Sequence, residues 1–158
     1  MSIDPHFERS VLAAFRLRER RARRRDELHG ARLLAQKLHH GQLDLLAHLR
    51  RVAHALPERF RAVAWLHHAH DAGVAPGALT AAGLTKDEVT AVELFDAPPA
   101  PPHSVLHRAR RLSNAPGRPG YLARVVGRAA IEDRLDGAPP SGETLTALRL
   151  LPDPALAA

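Results

Sequence analysis

A helical repeat of apolar residues limits the fold of this chain more than any other pattern in its sequence. In segment 45–56 the apolar positions lie at offsets 0, 1, 4, 7, 8 and 11, and they are Leu45, Leu46, Leu49, Val52, Ala53 and Leu56. These offsets place one apolar stripe along an amphipathic α-helix. Alternation of apolar and polar residues with the period of two that is typical of strands is missing. The sequence therefore predicts an all-α fold, with several helices in one compact bundle.

Further helices are predicted after this segment. Segment 57–71, PERFRAVAWLHHAHD, is apolar on most sides, so it should form the buried central helix, which Gly73 ends. Thr85 and Glu88 have the spacing of a capping box that starts the next helix. Segments 104–112, 121–135 and 143–150 complete the helical set, whereas the proline-rich segment 96–102 is predicted to be a loop.

Length and composition exclude several classes of protein. A chain of 158 residues has room for one domain with a core, and it has no cysteine, so disulfides and thiolate metal sites are excluded. No stretch approaches the roughly 20 apolar residues that cross a bilayer, and the N-terminal residues lack the apolar core of a signal peptide. We therefore expect a soluble cytoplasmic protein without a membrane partner, and nothing in the sequence indicates its oligomeric state.

Glycines and charge divide the chain into three predicted parts. Residues 1–30 should form a basic N-terminal helix, residues 31–137 a helical domain, and residues 138–158 a short C-terminal helix with a flexible tail. The formal net charge is +6, and the candidate phosphate-binding residues are Arg20, Arg21, Arg23, Arg24 and Arg25. Such a run either contacts the phosphates of a nucleic acid or forms a solvated helix paired with carboxylates.

Histidines and a carboxylate gather near the end of the predicted central helix. His67 and His68 are adjacent, His70 follows, and Asp71 lies one turn after His67. At this spacing two or three of the groups can converge on one point, which indicates a metal site. The alternative is a set of buried histidines that hydrogen-bond to backbone or carboxylate groups and carry no chemistry.

The order of several motifs in segment 31–133 resembles the HD-domain phosphohydrolase superfamily, most closely the hydrolase domain of the guanosine tetraphosphate (alarmone) synthetase/hydrolases. The family's AxxxHxGQ opening is matched by Ala35, His39, Gly41 and Gln42. The phrase AWLHH is similar to the family's AWLHD, and AAIEDRLDG is similar to its closing LADRLHN. His48 occupies the place of the family's first histidine ligand. The resemblance implies a compact HD-like bundle of helices.

This resemblance also implies a site and an activity. The ligands of a divalent metal, which would be Mn, Fe, Co or Zn, are then His48, His67, His68 and Asp133. His70 and Asp71 parallel the family's Glu-Asp pair and become the candidate catalytic residues. The implied activity is the hydrolysis of a nucleotide or other phosphoester by a metal-activated water.

His68 stands where the family has an aspartate ligand, and this replacement leaves alternatives open. Histidine removes one negative charge and reaches further, so the site either holds a softer metal or loses the metal altogether. The chain is then a variant HD hydrolase or a degenerate, non-catalytic HD-fold module that binds nucleotide or nucleic acid or has a regulatory role. A plain helical interaction protein is the remaining alternative.

Overall fold

The regular structure of the described chain is helical throughout. The computed structural model describes residues 5–96 and 104–153. Its α-helices are α1 Pro5–Leu38, α2 Leu43–Ala55, α3 Glu58–Leu66, α4 Pro76–Ala81, α5 Lys86–Glu93, α6 Val105–Ser113, α7 Gly117–Leu135 and α8 Gly142–Leu150, and Ala69–Ala72 form a 3₁₀ turn. Within these ranges no residue lies in a strand, so the predicted all-α fold is confirmed. None of these helices combines the length and hydrophobicity needed to cross a membrane.

Helix α3 lies at the centre of the bundle, as its apolar sequence predicts. It packs against α1, α2, α5 and α7. Phe60 and Leu66 of α3 are fully buried, and Leu49 of α2 and Val126 of α7 belong to the same core. Burial of each large apolar side chain stabilises the fold by roughly 1.5–3 kcal/mol, so these contacts hold the helices around α3 together.

Helix α3 ends earlier than the predicted segment 57–71. Its last residue is Leu66, and the chain turns at His67 and His68 before the 3₁₀ turn. The ring of His67 donates a hydrogen bond to the carbonyl oxygen of Ala64 at 2.7 Å. A side chain therefore bonds to a carbonyl oxygen that would accept a backbone N–H if the helix continued. This early end brings the rings of His67 and His68 against the ring of His48 on α2.

Helix α1 runs through Gly30, where the sequence predicted a boundary between residues 1–30 and 31–137. A β-carbon on Gly30 would lie 2.1 Å from the carbonyl oxygen of Ala82, so the glycine lets the turn after α4 approach the backbone of α1. Beyond Gly30, Ala31 and Ala35 are buried in the core, whereas residues 13–23 are exposed. The change at Gly30 is therefore one of burial, and the helix itself continues.

Helix α8 belongs to the bundle. It packs against α6 and α7, and it contributes the buried Ala147, with Leu151 buried just after it. The helix predicted at residues 143–150 is therefore present. The predicted flexible tail beyond residue 153 lies outside the described residues, and so does the predicted loop at residues 96–102 except for Asp96.

Candidate metal centre

Three histidine rings meet where helix α2 faces the end of α3. His48 comes from α2, His67 is the residue that ends α3, and His68 follows it. All three residues are buried, and one ring nitrogen of each lies within 4.8 Å of the other two. The structure thus brings together three of the four residues predicted as ligands, in a cluster that can hold a metal ion.

The hydrogen-bond partner of Nδ1 in each ring determines which of the two ring nitrogens carries the proton. Each Nδ1 faces an acceptor oxygen, and the pairs are His48 with Asp133 Oδ2 at 2.6 Å, His67 with Ala64 O at 2.7 Å, and His68 with Asp71 Oδ2 at 2.5 Å. Because ionised carboxylates and carbonyl oxygens only accept hydrogen bonds, Nδ1 must carry the proton in every ring. The lone pair of each neutral ring is then left on Nε2, which is the nitrogen available to a metal.

Two of these Nε2 atoms, those of His48 and His67, are buried without a hydrogen-bond partner among the described residues. A buried polar atom that is left unpaired costs about 1–3 kcal/mol unless another group satisfies it. Nε2 of His68 differs, because it accepts a hydrogen bond from Arg134 at 2.9 Å. The cluster therefore offers two unsatisfied lone pairs and a third that is held by a guanidinium.

Burial favours the neutral form of all three rings. It lowers the pKa of His67 well below the ordinary value, and the neighbouring rings of His68 and His48 lower it further. Burial also lowers the pKa of His48 and of His68, where it outweighs the hydrogen bond that each ring makes to a carboxylate. Because a metal binds only the unprotonated ring, the lowered pKa values favour the form of all three rings that a metal can bind at neutral pH.

Acid should destabilise the metal-free protein below about pH 6.5, the ordinary pKa of histidine. Burial holds the pKa of four histidines below that value, so the unfolded chain binds protons that the folded chain does not; they are His39, His48, His67 and His68. The free energy of unfolding keeps the full contribution of these groups above about pH 6.5. It decreases as the pH falls from there toward the folded pKa values, by up to about 1.4 kcal/mol per pH unit for each group. Urea unfolding at a series of pH values measures this loss, and equal stability on both sides of pH 6.5 would disprove it.

Asp133, the fourth predicted ligand, lies beside the cluster and is not among the three residues whose nitrogens converge. Its Oδ2 accepts the ring N–H of His48, and its two oxygens accept hydrogen bonds from Arg51 at 2.8 and 3.0 Å. Burial acts to raise the pKa of this carboxyl group, but the hydrogen bonds from Arg51 and His48 hold it below its ordinary value. Asp133 therefore orients a candidate ligand through its second nitrogen.

The two residues predicted to be catalytic lie in different surroundings. Asp71 accepts a hydrogen bond from the ring of His68 and leaves most of its own side chain exposed. His70 has its Nδ1 3.9 Å from Asp96, and its Nε2 is buried without a partner in the part of the chain that the structure describes. Asp71 therefore acts on a candidate ligand, whereas His70 stands outside the three-histidine cluster.

Arg134 and Arg51 are residues of the site that sequence reasoning missed. Arg134 follows Asp133 on α7 and donates to His68, and Arg51 lies one turn after His48 on α2. Burial lowers the pKa of Arg134, and the nearby guanidinium of Arg108 lowers it further. The signal for Arg134 and Arg51 was their closeness in sequence to two predicted ligands.

Two cavities adjoin Arg134. One of about 280 Å³ has mostly apolar walls and includes Arg108 and Phe95 in its lining. Phe95 also packs against His67, with 5.4 Å between the ring centroids, so this apolar cavity adjoins the cluster. A second, polar cavity of about 420 Å³ is more open; its lining residues are Leu45, His48, Arg51, Asp133, Arg134 and Asp136. Arg134 therefore stands between an apolar cavity and a polar one at the edge of the cluster.

The predicted phosphate-binding arginines of α1 divide into one structural residue and four exposed ones. Arg24 donates to Glu27 and Glu88 at 2.9 and 2.6 Å, and to the carbonyl oxygen of Glu58. These contacts tie α1 to the start of α3 and to α5. The remaining residues are exposed, and they are Arg20, Arg21, Arg23 and Arg25. Only these four have side chains open to a partner.

Comparison with known proteins identified no relative of this chain. No family model, no curated protein and no solved structure matches it. The chemistry of the three-histidine cluster therefore has to be inferred from its own geometry.

Proposed function

We propose that this chain is a metal-dependent phosphoester hydrolase of the HD type, with His48, His67 and His68 as its metal ligands. One observation carries the proposal. Three ring nitrogens lie within 4.8 Å of one another, and each belongs to a ring whose Nδ1 is already bound to an acceptor oxygen. Histidine ligands almost always donate their second N–H to a carboxylate, a carbonyl oxygen or a water in this way. Histidines that are buried only to stabilise the core would have no reason to place their second ring nitrogens close together.

The ligand set favours zinc or cobalt among the divalent metals. Three neutral imidazoles suit borderline ions, whereas manganese, magnesium and calcium prefer oxygen ligands. Three histidines with a free fourth position are also a ligand pattern of catalytic zinc. His68 in place of an aspartate therefore moves the proposed metal from manganese or iron toward zinc or cobalt.

A bound ion would lower the pKa of water and offset the negative charge of the phosphate. The residues of the chain hold the site in place for this chemistry. Asp133 and Asp71 accept hydrogen bonds from the Nδ1–H groups of His48 and His68, which fixes the orientation of each ring and leaves its lone pair on Nε2. In the overall reaction the ester P–O bond breaks, water supplies a hydroxyl group to phosphorus, and the remaining proton goes to the leaving oxygen.

Metal-dependent release of phosphate tests this function. Chelator-treated protein that is reloaded with zinc or cobalt should hydrolyse members of a panel of nucleotides and phosphomonoesters. Turnover should fall to background in His48→Ala and in His67→Ala. His54→Ala is the matched control, because His54 lies on α2 with His48 but is exposed. Turnover that persists in His67→Ala, or that needs no metal, would rule the hydrolase out.

One observation favours a second function, that of a non-catalytic HD-fold binding module. Arg134 donates to Nε2 of His68, so a guanidinium lies against a nitrogen that a metal would use. If Arg134 keeps this position, His48 and His67 alone make a weak metal site, and the domain binds an anion without hydrolysing it. A chain that binds phosphoesters but takes up neither zinc nor cobalt has this second function.

Nucleic acid is the partner that we propose for the exposed arginines of α1. Phosphate contacts release counterions, so the logarithm of the affinity falls with the logarithm of salt concentration, with a slope of about 0.9 for each phosphate neutralised. Replacing Arg20, Arg21, Arg23 and Arg25 by glutamine should flatten this slope for a DNA duplex. Thermal stability should stay unchanged, because Arg24 keeps its contacts to Glu27 and Glu88. Fluorescence anisotropy at several salt concentrations measures the slope, and an unchanged slope would exclude this surface.

A further inference from the structure

The apolar cavity of about 280 Å³ carries positive charge as well as an apolar wall. Its charged residues are Arg108 and Arg134, and no carboxylate is among the described residues that line it. The wall is formed by Phe95, Val105, Ala130, Ile131 and Leu135, among others. Charges of one sign in a cleft with low-dielectric walls concentrate ions of the opposite sign. The cavity is therefore suited to an anion that also has an apolar part.

Both guanidinium groups have donors to spare. The backbone N–H of Arg108 donates to Ser104, but its guanidinium has no hydrogen-bond or ion-pair partner in residues 13–96 and 104–153. Arg134 uses an N–H group on His68, and a guanidinium has five N–H groups in all. Guanidinium groups bind phosphate through paired, charge-assisted hydrogen bonds. Arg108 and Arg134 together can therefore hold a phosphate that carries two negative charges.

The polar cavity on the other side of Arg134 is less suited to an anion. Its lining includes the carboxylates of Asp133 and Asp136. Arg51, its other cation, is already bound to both oxygens of Asp133. The carboxylates would repel a phosphate, so charge directs an anion to the apolar cavity.

We propose that the apolar cavity is the substrate subsite and that it binds a small phosphomonoester with an apolar organic group, whose phosphate lies between Arg108 and Arg134. This inference rests on the proposed hydrolase function and names its substrate class. The volume, about 280 Å³, is near the lower limit of roughly 300 Å³ for ligand pockets, so the ester is small. Ser104 and Thr144 line the cavity with hydroxyl groups that already pair with Glu143 and Ser141. An apolar group therefore fits this wall better than a nucleobase.

Arg134 links the substrate subsite to the metal centre. A metal on Nε2 of His68 would take the lone pair that Arg134 now uses, and the two cations would repel each other. A phosphate in the cavity gives Arg134 a charge-assisted partner in exchange. Metal and phosphate should therefore each raise the affinity of the protein for the other, because such coupling is reciprocal.

Titration of the metal-free protein with phenylphosphonate tests the subsite, since the carbon–phosphorus bond of this probe resists hydrolysis. Arg108→Gln should weaken binding by about ten-fold to a hundred-fold, the usual effect of losing a hydrogen bond to a charged group. Arg110→Gln is the matched control, because Arg110 lies on the same helix, is exposed and does not line the cavity; it should leave the affinity unchanged. Equal losses in the two variants, or tighter binding of adenosine monophosphate than of phenylphosphonate, would overturn the proposal.

Cobalt affinity measured with and without phenylphosphonate tests the link through Arg134. The probe should tighten cobalt binding to the unaltered protein by about five-fold or more. Without the probe, Arg134→Met should bind cobalt more tightly than the unaltered protein does. Adding phenylphosphonate should not raise the cobalt affinity of this variant further. A probe that leaves the cobalt affinity of the unaltered protein unchanged would remove Arg134 from the proposal.

The outcomes separate this proposal from the proposed function. Phenylphosphonate binding that depends on Arg108 supports the subsite even if the chain takes up no metal. Metal uptake together with equal phenylphosphonate binding by Arg108→Gln and the unaltered protein overturns the subsite and leaves the metal centre in place. The Arg108 series also decides the matter if Arg134→Met does not fold.

Discussion

Saturating zinc should raise the thermal unfolding midpoint of this protein by about 8–16 °C. A ligand that binds only the folded chain adds about 4 kcal/mol to the free energy of unfolding when it is present at about 1,000 times its Kd. For a chain of 158 residues, each kcal/mol moves the midpoint by about 2–4 °C. Only the folded state has the complete site, because His48 and the His67–His68 pair lie on separate elements. Calorimetry with and without zinc measures the shift.

Two histidines of helix α2 provide the variant and the control for this experiment. His48→Ala should lose the zinc-induced shift, since it removes one of the three nitrogens of the cluster. His54→Ala should keep it, because the side chain of His54 is exposed and lies outside the cluster. A shift of the same size in His48→Ala would mean that zinc binds elsewhere on the protein.

Asp133→Asn should weaken zinc binding by about 10-fold to 100-fold, which is the usual effect of removing the partner of a ligand histidine. Asparagine has a similar shape but no charge. It therefore weakens the hydrogen bond to the ring of His48 and loses the paired contact with Arg51. The ring of His48 then has a less basic Nε2 and a less fixed orientation. Competition with a chromophoric zinc chelator measures the affinity.

Asp136→Asn is the control for this variant. Asp136 lines the same polar cavity as Asp133, and its left-handed backbone, with φ of 44°, is one that asparagine also adopts readily. The Asp136→Asn variant should bind zinc with the affinity of the unaltered protein. If Asp133 were itself a ligand, as the HD resemblance implies, Asp133→Asn would abolish zinc binding as completely as His67→Ala. That result would refute the orienting role assigned to Asp133.

The helices of this protein were predictable where their signals are local. The apolar repeat at residues 45–56 forms α2, and the capping box of Thr85 and Glu88 starts α5. The continuity of α1 was not predictable, because it depends on a contact between distant parts of the chain. Gly30 stays helical and gives room to Ala82, whereas in the sequence it has the appearance of a break.

The members of the candidate site were easier to predict than their roles. His48, His67 and His68 were selected from spacing and family resemblance, and the structure brings them together. The sequence did not indicate that Asp133 would bond to Nδ1 of His48, because that contact depends on how α2 and α7 pack together. Arg108 of α6 and Arg134 of α7 face one cavity only because those helices pack together, which no local pattern indicates.

Cobalt uptake tests the metal centre most directly, because tetrahedral cobalt with nitrogen ligands absorbs strongly in visible light. One titration then reports binding, stoichiometry and geometry. We expect a single cobalt ion per chain with this spectrum in the unaltered protein and in His54→Ala. The spectrum should be lost in His48→Ala, His67→Ala and His68→Ala, each of which is first shown by circular dichroism to be folded. An unaltered protein that gives no such spectrum, or a His67→Ala variant that keeps it, would contradict a metal centre at these three histidines.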